Sequence, residues 1–428
     1  MPARAWQLTL IGIVSLFAIS GVFKDIRHTA EGGSIDLRNR VTGARLAAEG
    51  VDPYFYKWKP DDSERFCDPY NASQYPVSRT TVTPLVLALH APVAGLPYRT
   101  QQWLWLVLQY VLLLASFAAW VRNRSEPDRL WGLLFLVTLC AAPFWRLHVD
   151  RGQIYVLYAA VFLILATCPA PAGRKFQAAP AFGAALLAAL RPVYLICCAV
   201  PLLRSPRQAP TALAAGAGVM AGAGVAAAIP MLLWGPAIWT SYAQAMHKHA
   251  QLYLERFQDR APATAFPAEI EGIALDTLAH FARIPFADVS IYRLASFALS
   301  PGWLLGLWAL LLVPALALRA SKLSKTALWW SVSSWAVLGD FILPAFRNTY
   351  NDVLIFPMLL LGLASLRAPL RGLWISVSSV FLAAHLSIGW LPKACFPAPS
   401  LIGMILALAA AGATTFLPPK FFTARNEG

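Results

Sequence analysis

Long apolar segments separated by short polar connections run through most of the chain. The stretch Trp103–Val121 carries no charged residue over 19 positions, and an α-helix of about this length crosses roughly 30 Å of hydrocarbon. Comparable candidate segments occur at 6–23, 101–121, 130–146, 153–169, 178–190, 193–203, 211–234, 302–318, 326–344, 351–366, 373–390 and 400–417. The pattern predicts an all-α fold, a polytopic transmembrane helical bundle of about 12 spans, as a single domain over residues 1–428.

Two parts of this pattern are irregular. Residues 178–203 hold two short apolar pieces that are broken at Arg191-Pro192. Proline disrupts a helix interior, and a charge between two half-helices is typical of a polar cavity inside a bundle. The apolar stretch Val82–Leu96 is interrupted by prolines. We interpret it as a re-entrant or interfacial segment, because a true span here would invert every later connection.

The composition supports a membrane protein. Of the 428 residues, 58% are hydrophobic and 13% are charged, whereas soluble domains carry about 25% charged residues. The net charge of +14 comes from short basic clusters between apolar segments, as membrane topology requires, so we expect membrane lipids and no nucleic acid as partners. No cysteine or histidine spacing typical of a metal site occurs, and no dinucleotide-binding fingerprint. We therefore expect neither a metal nor a cofactor.

The basic residues also predict the orientation. If the N-terminus is cytoplasmic, the inner connections and termini hold 15 Lys and Arg residues and the short outer connections hold five. Positive residues favour the cytoplasmic side, so this bias predicts cytoplasmic termini in the plasma (inner) membrane. The two long polar segments, 24–81 and 235–300, then form a first and a second outer loop.

The first outer loop concentrates acidic residues. It holds nine of the 21 acids of the chain, which is more charge on one side than an ion channel or small-solute carrier needs. The apolar positions from Ile35 to Ala48 predict an amphipathic helix on the membrane surface, with Ser34 as its N-cap. Asp36 falls in the first turn, where a carboxylate complements the helix dipole or serves as a catalytic base.

The order of these features is similar to that of a known superfamily. A first span is followed by an outer loop and a proline-punctuated apolar stretch. The residues that carry the similarity in the loop are Asp36, Leu37, Ala44, Leu46, Gly50, Asp52, Pro53 and Tyr54. This arrangement resembles the GT-C glycosyltransferases, and within them the polyprenyl-phosphate-mannose-dependent α-mannosyltransferases.

Three later segments extend the resemblance. Arg151-Gly152-Gln153 is similar to a G-Q element of that branch, and Leu190-Arg191-Pro192 stands where the branch often has Lys-x-x-Pro. The segment Pro344–Pro357 resembles its late outer element. This element commonly ends in a histidine-bearing stretch, where the present chain has Tyr350, Asn351 and Asp352.

The resemblance implies a hexosyltransferase. Such an enzyme moves mannose or another hexose from a polyprenyl-phosphate sugar donor to an extracytoplasmic lipid or glycan acceptor, with inversion. It implies Asp36 as the base, and a guanidinium on the donor phosphate from Arg191, Arg146 or Arg347, which end predicted spans on the outer side. The residues expected to bind the acceptor or to support the site are Asp52, Tyr54, Gln153, Asn351 and Asp352.

Two other functions remain possible from the sequence. A transporter or flippase of lipid-linked saccharides has similar hydropathy but places its key charges inside the membrane, and Asp340 does lie within a predicted span. Asp340 pairs with a neighbour, caps a broken helix or stays protonated. An oligosaccharide polymerase or ligase usually has its long outer loop late in the chain. The long loop directly after the first span favours the GT-C arrangement.

Overall fold

Helices account for nearly all of the regular structure that is described. The computed structural model describes residues 2–59, 61–68, 76–168, 178–203, 209–254, 269–270, 273–274, 308, 310, 312, 319, 322–342, 347–387 and 398–423. Within these ranges, the strands β1 (Glu269–Ile270) and β2 (Ile273–Ala274) form a short antiparallel hairpin, in the second predicted outer loop.

Eight described α-helices lie within residues 2–190. They are α1 (Pro2–Glu31), α2 (Ile35–Ala48), α3 (Pro84–His90), α4 (Tyr98–Val121), α5 (Glu126–Ala141), α6 (Pro143–Asp150), α7 (Tyr155–Thr167) and α8 (Ala178–Leu190).

The remaining described α-helices include the last spans. They are α9 (Ala199–Leu203), α10 (Ala209–Trp234), α11 (Ala237–Leu254), α12 (Lys325–Ile342), α13 (Phe356–Ser365), α14 (Leu370–Ser387) and α15 (Ala398–Phe416). Two 3-10 segments are important for the site: Pro192–Cys198, which precedes α9, and Thr349–Ile355, which precedes α13.

Several helices are long and apolar enough to cross a bilayer. Among the described residues five qualify by length and composition: α1, α4, α10, α14 and α15. The pair α5 and α6, bent by 57° at its break, makes a sixth if it is one span. Eleven of the twelve predicted apolar segments are helical, and most of the twelfth, 302–318, lies outside the described residues. The chain is therefore a helical multi-pass membrane protein, and its described part holds five or six candidate spans of full length.

Small residues allow α8 and α10 to approach each other closely. Gly218 and Gly222 lie four residues apart on α10 and face α8. A β-carbon at Gly218 would overlap the backbone of Ala178, and one at Gly222 would come within 2.6 Å of the Phe182 carbonyl. Glycines at this spacing let two helices pack backbone to backbone in a membrane. The contact therefore fixes the first turns of α8 against α10.

The predicted helix of the first outer loop is confirmed, but its environment is not the predicted one. Helix α2 has the predicted bounds, yet 11 of its 14 residues are buried. Its arginines are covered: Arg45 alone donates to the carbonyls of Ala94, Leu96 and Arg65, each at 2.9 Å. The prediction of a surface helix is wrong, because the following loop folds over its polar face.

The predicted N-cap of α2 is also wrong. Ser34 has a left-handed backbone with φ of 71°, and its side chain makes no capping hydrogen bond. Instead its backbone N–H donates to the carbonyl of Asp150. The start of α2 is therefore held by the α6–α7 connection and not by its own cap.

The stretch Val82–Leu96 forms the short helix α3 and a 3-10 turn, Ala91–Val93. At seven residues, α3 is about 10 Å long, which is too short to cross a bilayer. Its Leu87 packs beside Gly43 of α2. The stretch thus forms a short helix that packs on the first outer loop.

The two predicted outer loops contact each other. Asp52 of the first loop accepts a hydrogen bond from Ser241 of α11 at 2.6 Å, and the rings of Tyr54 and Tyr242 lie 5.5 Å apart. Helix α11 and the hairpin are the described parts of 235–300, and the rest of that loop lies outside the described residues.

Predicted inner connections also contact each other. Arg4 pairs with Glu126 at 2.8 Å, and Arg371 pairs with Asp128. The ion pairs thus group the N-terminus, the α4–α5 connection and the start of α14 together.

Candidate active site

The carboxylate of Asp36 is held by the connection between α6 and α7. Arg151 donates to it twice, from Nε to Oδ2 at 2.6 Å and from Nη2 to Oδ1 at 3.0 Å. Gln153 donates to Oδ2 from its side-chain amide. A bidentate guanidinium–carboxylate pair fixes orientation as well as charge. The side chain of Asp36 is 17% exposed and that of Arg151 14%, so the pair lies at an opening and not in the interior.

A glycine allows this connection to lie on the start of α2. Gly152 has φ of +64°, and a β-carbon there would come within 2.8 Å of the Leu37 side chain. Around it, the N–H of Asp36 donates to the Arg151 carbonyl at 2.9 Å, and Arg40 donates to the Gly152 carbonyl. The Arg-Gly-Gln element is thus part of the same local structure as the first turn of α2.

The arrangement leaves Asp36 able to bind a hydroxyl group. A carboxylate oxygen can accept two hydrogen bonds, and among the described residues Oδ1 accepts one, from Arg151. An oriented carboxylate with a remaining acceptor site can take a proton from a hydroxyl group within hydrogen-bond reach.

A second cluster forms around Asp340. Its carboxylate accepts hydrogen bonds from Arg191, from Arg347 Nε at 3.0 Å and from the Asn351 amide at 3.2 Å. Asp340 is fully buried within α12. Of the three alternatives for Asp340, the structure shows pairing. Arg191 binds its Oδ1 and Arg347 binds its Oδ2.

The cluster continues into the last two helices. Arg347 Nη2 donates to Asp352 at 2.7 Å, and Asp352 in turn accepts from Ser400 of α15 at 2.6 Å. His385 Nε2 of α14 lies 3.0 Å from the same carboxylate. We call this set the buried charge network. Its members are Arg191, Asp340, Arg347, Asn351, Asp352, His385 and Ser400.

Tyr155 joins the connection that binds Asp36 to the buried charge network. The Arg191 guanidinium is 4.7 Å from the centroid of the Tyr155 ring, and the ring of Tyr350 stacks on it at 5.7 Å. Tyr155 begins α7, two residues after Gln153, which donates to the Asp36 carboxylate. Arg191 is also the network member that reaches an opening, because its side chain is 16% exposed while those of Arg347 and Asp352 are fully buried. The Arg191 guanidinium therefore lies against the first residue of α7, directly after the connection that binds the Asp36 carboxylate.

Arg146 lies in a different place. It donates from Nη2 to the carbonyl of Ala141 at 2.6 Å, and its guanidinium packs against Gly21 of α1. The structure thus brings together two of the three arginines predicted for the donor phosphate, Arg191 and Arg347, and places the third against the first span.

Asp52 and Tyr54 have structural contacts. Asp52 Oδ1 accepts from the backbone N–H of Tyr54 at 2.8 Å, which is an Asx turn around Pro53. Tyr54 is buried and donates to the Val82 carbonyl at 3.0 Å. Burial holds the pKa of Tyr54 well above its usual value, so this hydroxyl remains a neutral donor that joins the first loop to α3.

Several site residues were missed by the sequence reasoning. The sequence predicts Arg151 only as part of a motif, and it does not single out Tyr155, His385 or Ser400. Asp340 and His385 carried a usable signal, since a polar or ionisable group inside an apolar segment needs a partner.

Among the described residues, no three His, Cys, Asp or Glu side chains are placed to share a metal ion.

Comparison with protein families gives the class of the chain. Residues 81–271 match the model of glycosyltransferase family 87, a GT-C-type family of membrane glycosyltransferases. The match of this range to a glycosyltransferase family 87 domain implies that the chain is a glycosyltransferase. A search of curated proteins found no match.

The matched range covers less than half of the glycosyltransferase. It begins just before α3, includes Arg151, Gln153 and Arg191, and ends in the hairpin of the second outer loop. Asp36 lies outside the matched range, and so does every member of the buried charge network except Arg191. The roles of these residues are therefore argued from geometry.

Proposed function

We propose that the glycosyltransferase moves a hexose, with mannose the first candidate, from a polyprenyl-phosphate donor to an extracytoplasmic lipid or glycan acceptor, inverting the anomeric centre. The observation that carries the proposal is that Arg191 lies over the ring of Tyr155, which stands two residues after the Gln153 that binds Asp36. Asp36 can accept the proton of the acceptor hydroxyl, and Arg191 can bind the donor phosphate.

The chemistry assigned to these residues is a direct displacement. As the acceptor oxygen bonds to the anomeric carbon, its proton passes to Asp36. The bond from that carbon to the phosphate oxygen breaks, and the polyprenyl phosphate leaves with the electron pair. Attack from the face opposite the phosphate inverts the anomeric configuration. Arg151 and Gln153 keep the Asp36 carboxylate in one orientation during this step.

Arg191 has the properties required of the phosphate ligand. A guanidinium can donate in a planar fork to two phosphate oxygens. Arg191 uses Nη2 for Asp340, and 16% of its side chain remains exposed. Because Arg191 follows a helix of the bundle, it can meet a phosphate whose polyprenyl chain remains in the bilayer.

The proposal places this chemistry outside the cytoplasm, in a plasma-membrane bundle of about 12 spans with both termini inside. Two observations support the sidedness. The described parts of the two predicted outer loops contact each other through Asp52 and Ser241. The predicted inner connections contact each other through Arg4 with Glu126 and Arg371 with Asp128.

Cysteine labelling tests this topology. Ser63 and Asn123 are both exposed and lie in a predicted outer loop and a predicted inner connection. In a Cys168→Ser background, which removes an exposed native thiol, Ser63→Cys should react with an impermeant maleimide on intact cells. Asn123→Cys should react only after permeabilisation. Labelling of both from outside, or of neither, would contradict the proposed orientation.

The donor is tested at Arg191. Because a charge-assisted hydrogen bond contributes about 1.5–3 kcal/mol, Arg191→Ala should raise the KM for a polyprenyl-phosphate sugar by roughly 10- to 150-fold. Arg191→Lys keeps the charge without the fork and should recover part of this loss. Arg122→Ala, at an exposed position between α4 and α5, is the matched control and should leave the KM unchanged. An unchanged KM in Arg191→Ala would return this residue to a purely structural role.

A further inference from the structure

We propose that Asp340 is the counter-ion that keeps the arginine site from retaining the leaving polyprenyl phosphate, and so sets the rate of product release. Asp340 acts as a positioning residue, through Arg191. The inference rests on the proposed function, since it takes Arg191 as the ligand of the donor phosphate.

The geometry makes Asp340 a shared partner of two cations. It accepts from Arg191 at one oxygen and from Arg347 at the other, the latter at 3.0 Å. The amide of Asn351 adds a third hydrogen bond at 3.2 Å. The two guanidiniums are matched by two carboxylates, Asp340 and Asp352, so that their formal charges balance before a ligand arrives.

Exposure separates the roles of the two arginines. Arg191 keeps 16% of its side chain exposed, and Arg347 keeps none. A ligand at the opening can therefore contact Arg191, whereas Arg347 is covered. Arg347 is itself held between Asp340 and Asp352, so it acts on a ligand by fixing Asp340. This differs from the direct phosphate contact that the sequence predicted for Arg347.

The charge of the ligand changes during the proposed reaction. A polyprenyl-phosphate sugar is a phosphodiester with one negative charge, whereas the released polyprenyl phosphate is a monoester with about −1.5 to −2 charges at pH 7. The Arg191 guanidinium therefore attracts the product more strongly than the donor. Because product release limits many enzymes, a site that uses a guanidinium for the leaving group benefits from a fixed anion that competes with the product.

Asp340 is placed to be that competitor. It accepts a hydrogen bond from Arg191 Nη2, and as the product leaves it can take back the guanidinium. Since Asp340 is buried and bonded from two further residues, it does not move away with the ligand. The same carboxylate also orients Arg191 toward Tyr155, which preorganises the guanidinium for the transition state.

Product inhibition tests the inference. Loss of the Asp340 charge should lower the inhibition constant of the product, whereas structural damage to the site would raise it. With the full-length protein in detergent–lipid micelles and a short-chain polyprenyl phosphate as inhibitor, Asp340→Asn should lower the inhibition constant about tenfold. The kcat should fall, while the KM for the donor should not rise. Asp340→Glu keeps the charge and should leave the inhibition constant near that of the wild type.

A second variant keeps the test decisive if Asp340→Asn does not fold. Asp352→Asn also removes one negative charge, but Asp352 binds Arg347 and not Arg191. It should therefore lower the inhibition constant by a smaller factor. An inhibition constant that is unchanged or raised in folded variants overturns the inference. If the wild type neither uses polyprenyl-phosphate sugars nor is inhibited by polyprenyl phosphate, the proposed function fails instead.

Discussion

Replacing Asp36 with asparagine should reduce turnover by about 10²–10⁴-fold, which is the usual contribution of general-base catalysis. Asparagine keeps the volume of the side chain and one acceptor oxygen for Arg151, but it cannot take the proton of the acceptor hydroxyl. The KM for the donor should remain within a few-fold of the wild-type value, since Arg191 is untouched. The measurement is the initial rate of transfer from a labelled polyprenyl-phosphate sugar.

Asp52→Asn is the matched control for this prediction. Asp52 is exposed and makes the turn before Tyr54, so its loss should affect stability more than turnover. Near wild-type transfer by Asp36→Asn, together with an inactive Asp52→Asn, would reverse the assignment. Asp352 is a poor substitute for either, because it is fully buried and bound to Arg347 and Ser400.

Replacing Arg347 with methionine should destabilise the protein by about 3–5 kcal/mol, the cost of breaking a buried ion pair from one side. Arg347 is fully buried and donates to both Asp340 and Asp352. Without it, Asp352 loses its guanidinium partner, and Asp340 retains Arg191 and Asn351. The expected result is a large fall in the free energy of unfolding, measured by reversible denaturation in mixed micelles.

The control is an arginine in an exposed pair. Arg4 binds Glu126 with 66% of its side chain exposed, and pairs of this kind contribute about 0–1 kcal/mol. Arg4→Met should therefore unfold close to the wild-type transition. Equal stability of the two variants would show that the buried charge network does not hold α12, α14 and α15 together.

The sequence predicted the elements of this fold better than their contacts. The long apolar segments and the bounds of α2 follow from local patterns of apolar and polar residues, and helices occur where these patterns lie. The exposure of α2 was mispredicted, because the buried arginines on its polar face are satisfied by carbonyls of distant loops. Arg45, for example, reaches Leu96, 51 residues away.

In the candidate site, too, the sequence predicts single residues but not the distant partners that they bind. Asp36 could be singled out from its position in the loop, but its partner Arg151 lies 115 residues later. Arg191 and Asp340 each stood out as a charge inside an apolar segment, and 149 residues separate them. A buried charge predicts that some partner exists. Its identity depends on how the helices pack, and spacing along one sequence does not contain that information.

The most direct measurement of the central claim is the reaction of the purified wild-type protein with two labelled donors. We expect hexose transfer from a β-linked polyprenyl phosphate to an extracted envelope acceptor, no transfer from the corresponding nucleotide sugar, and an α-linkage in the product by NMR. Transfer from the nucleotide sugar, a β-linked product, or movement of the lipid-linked sugar across a vesicle membrane without transfer would contradict the account.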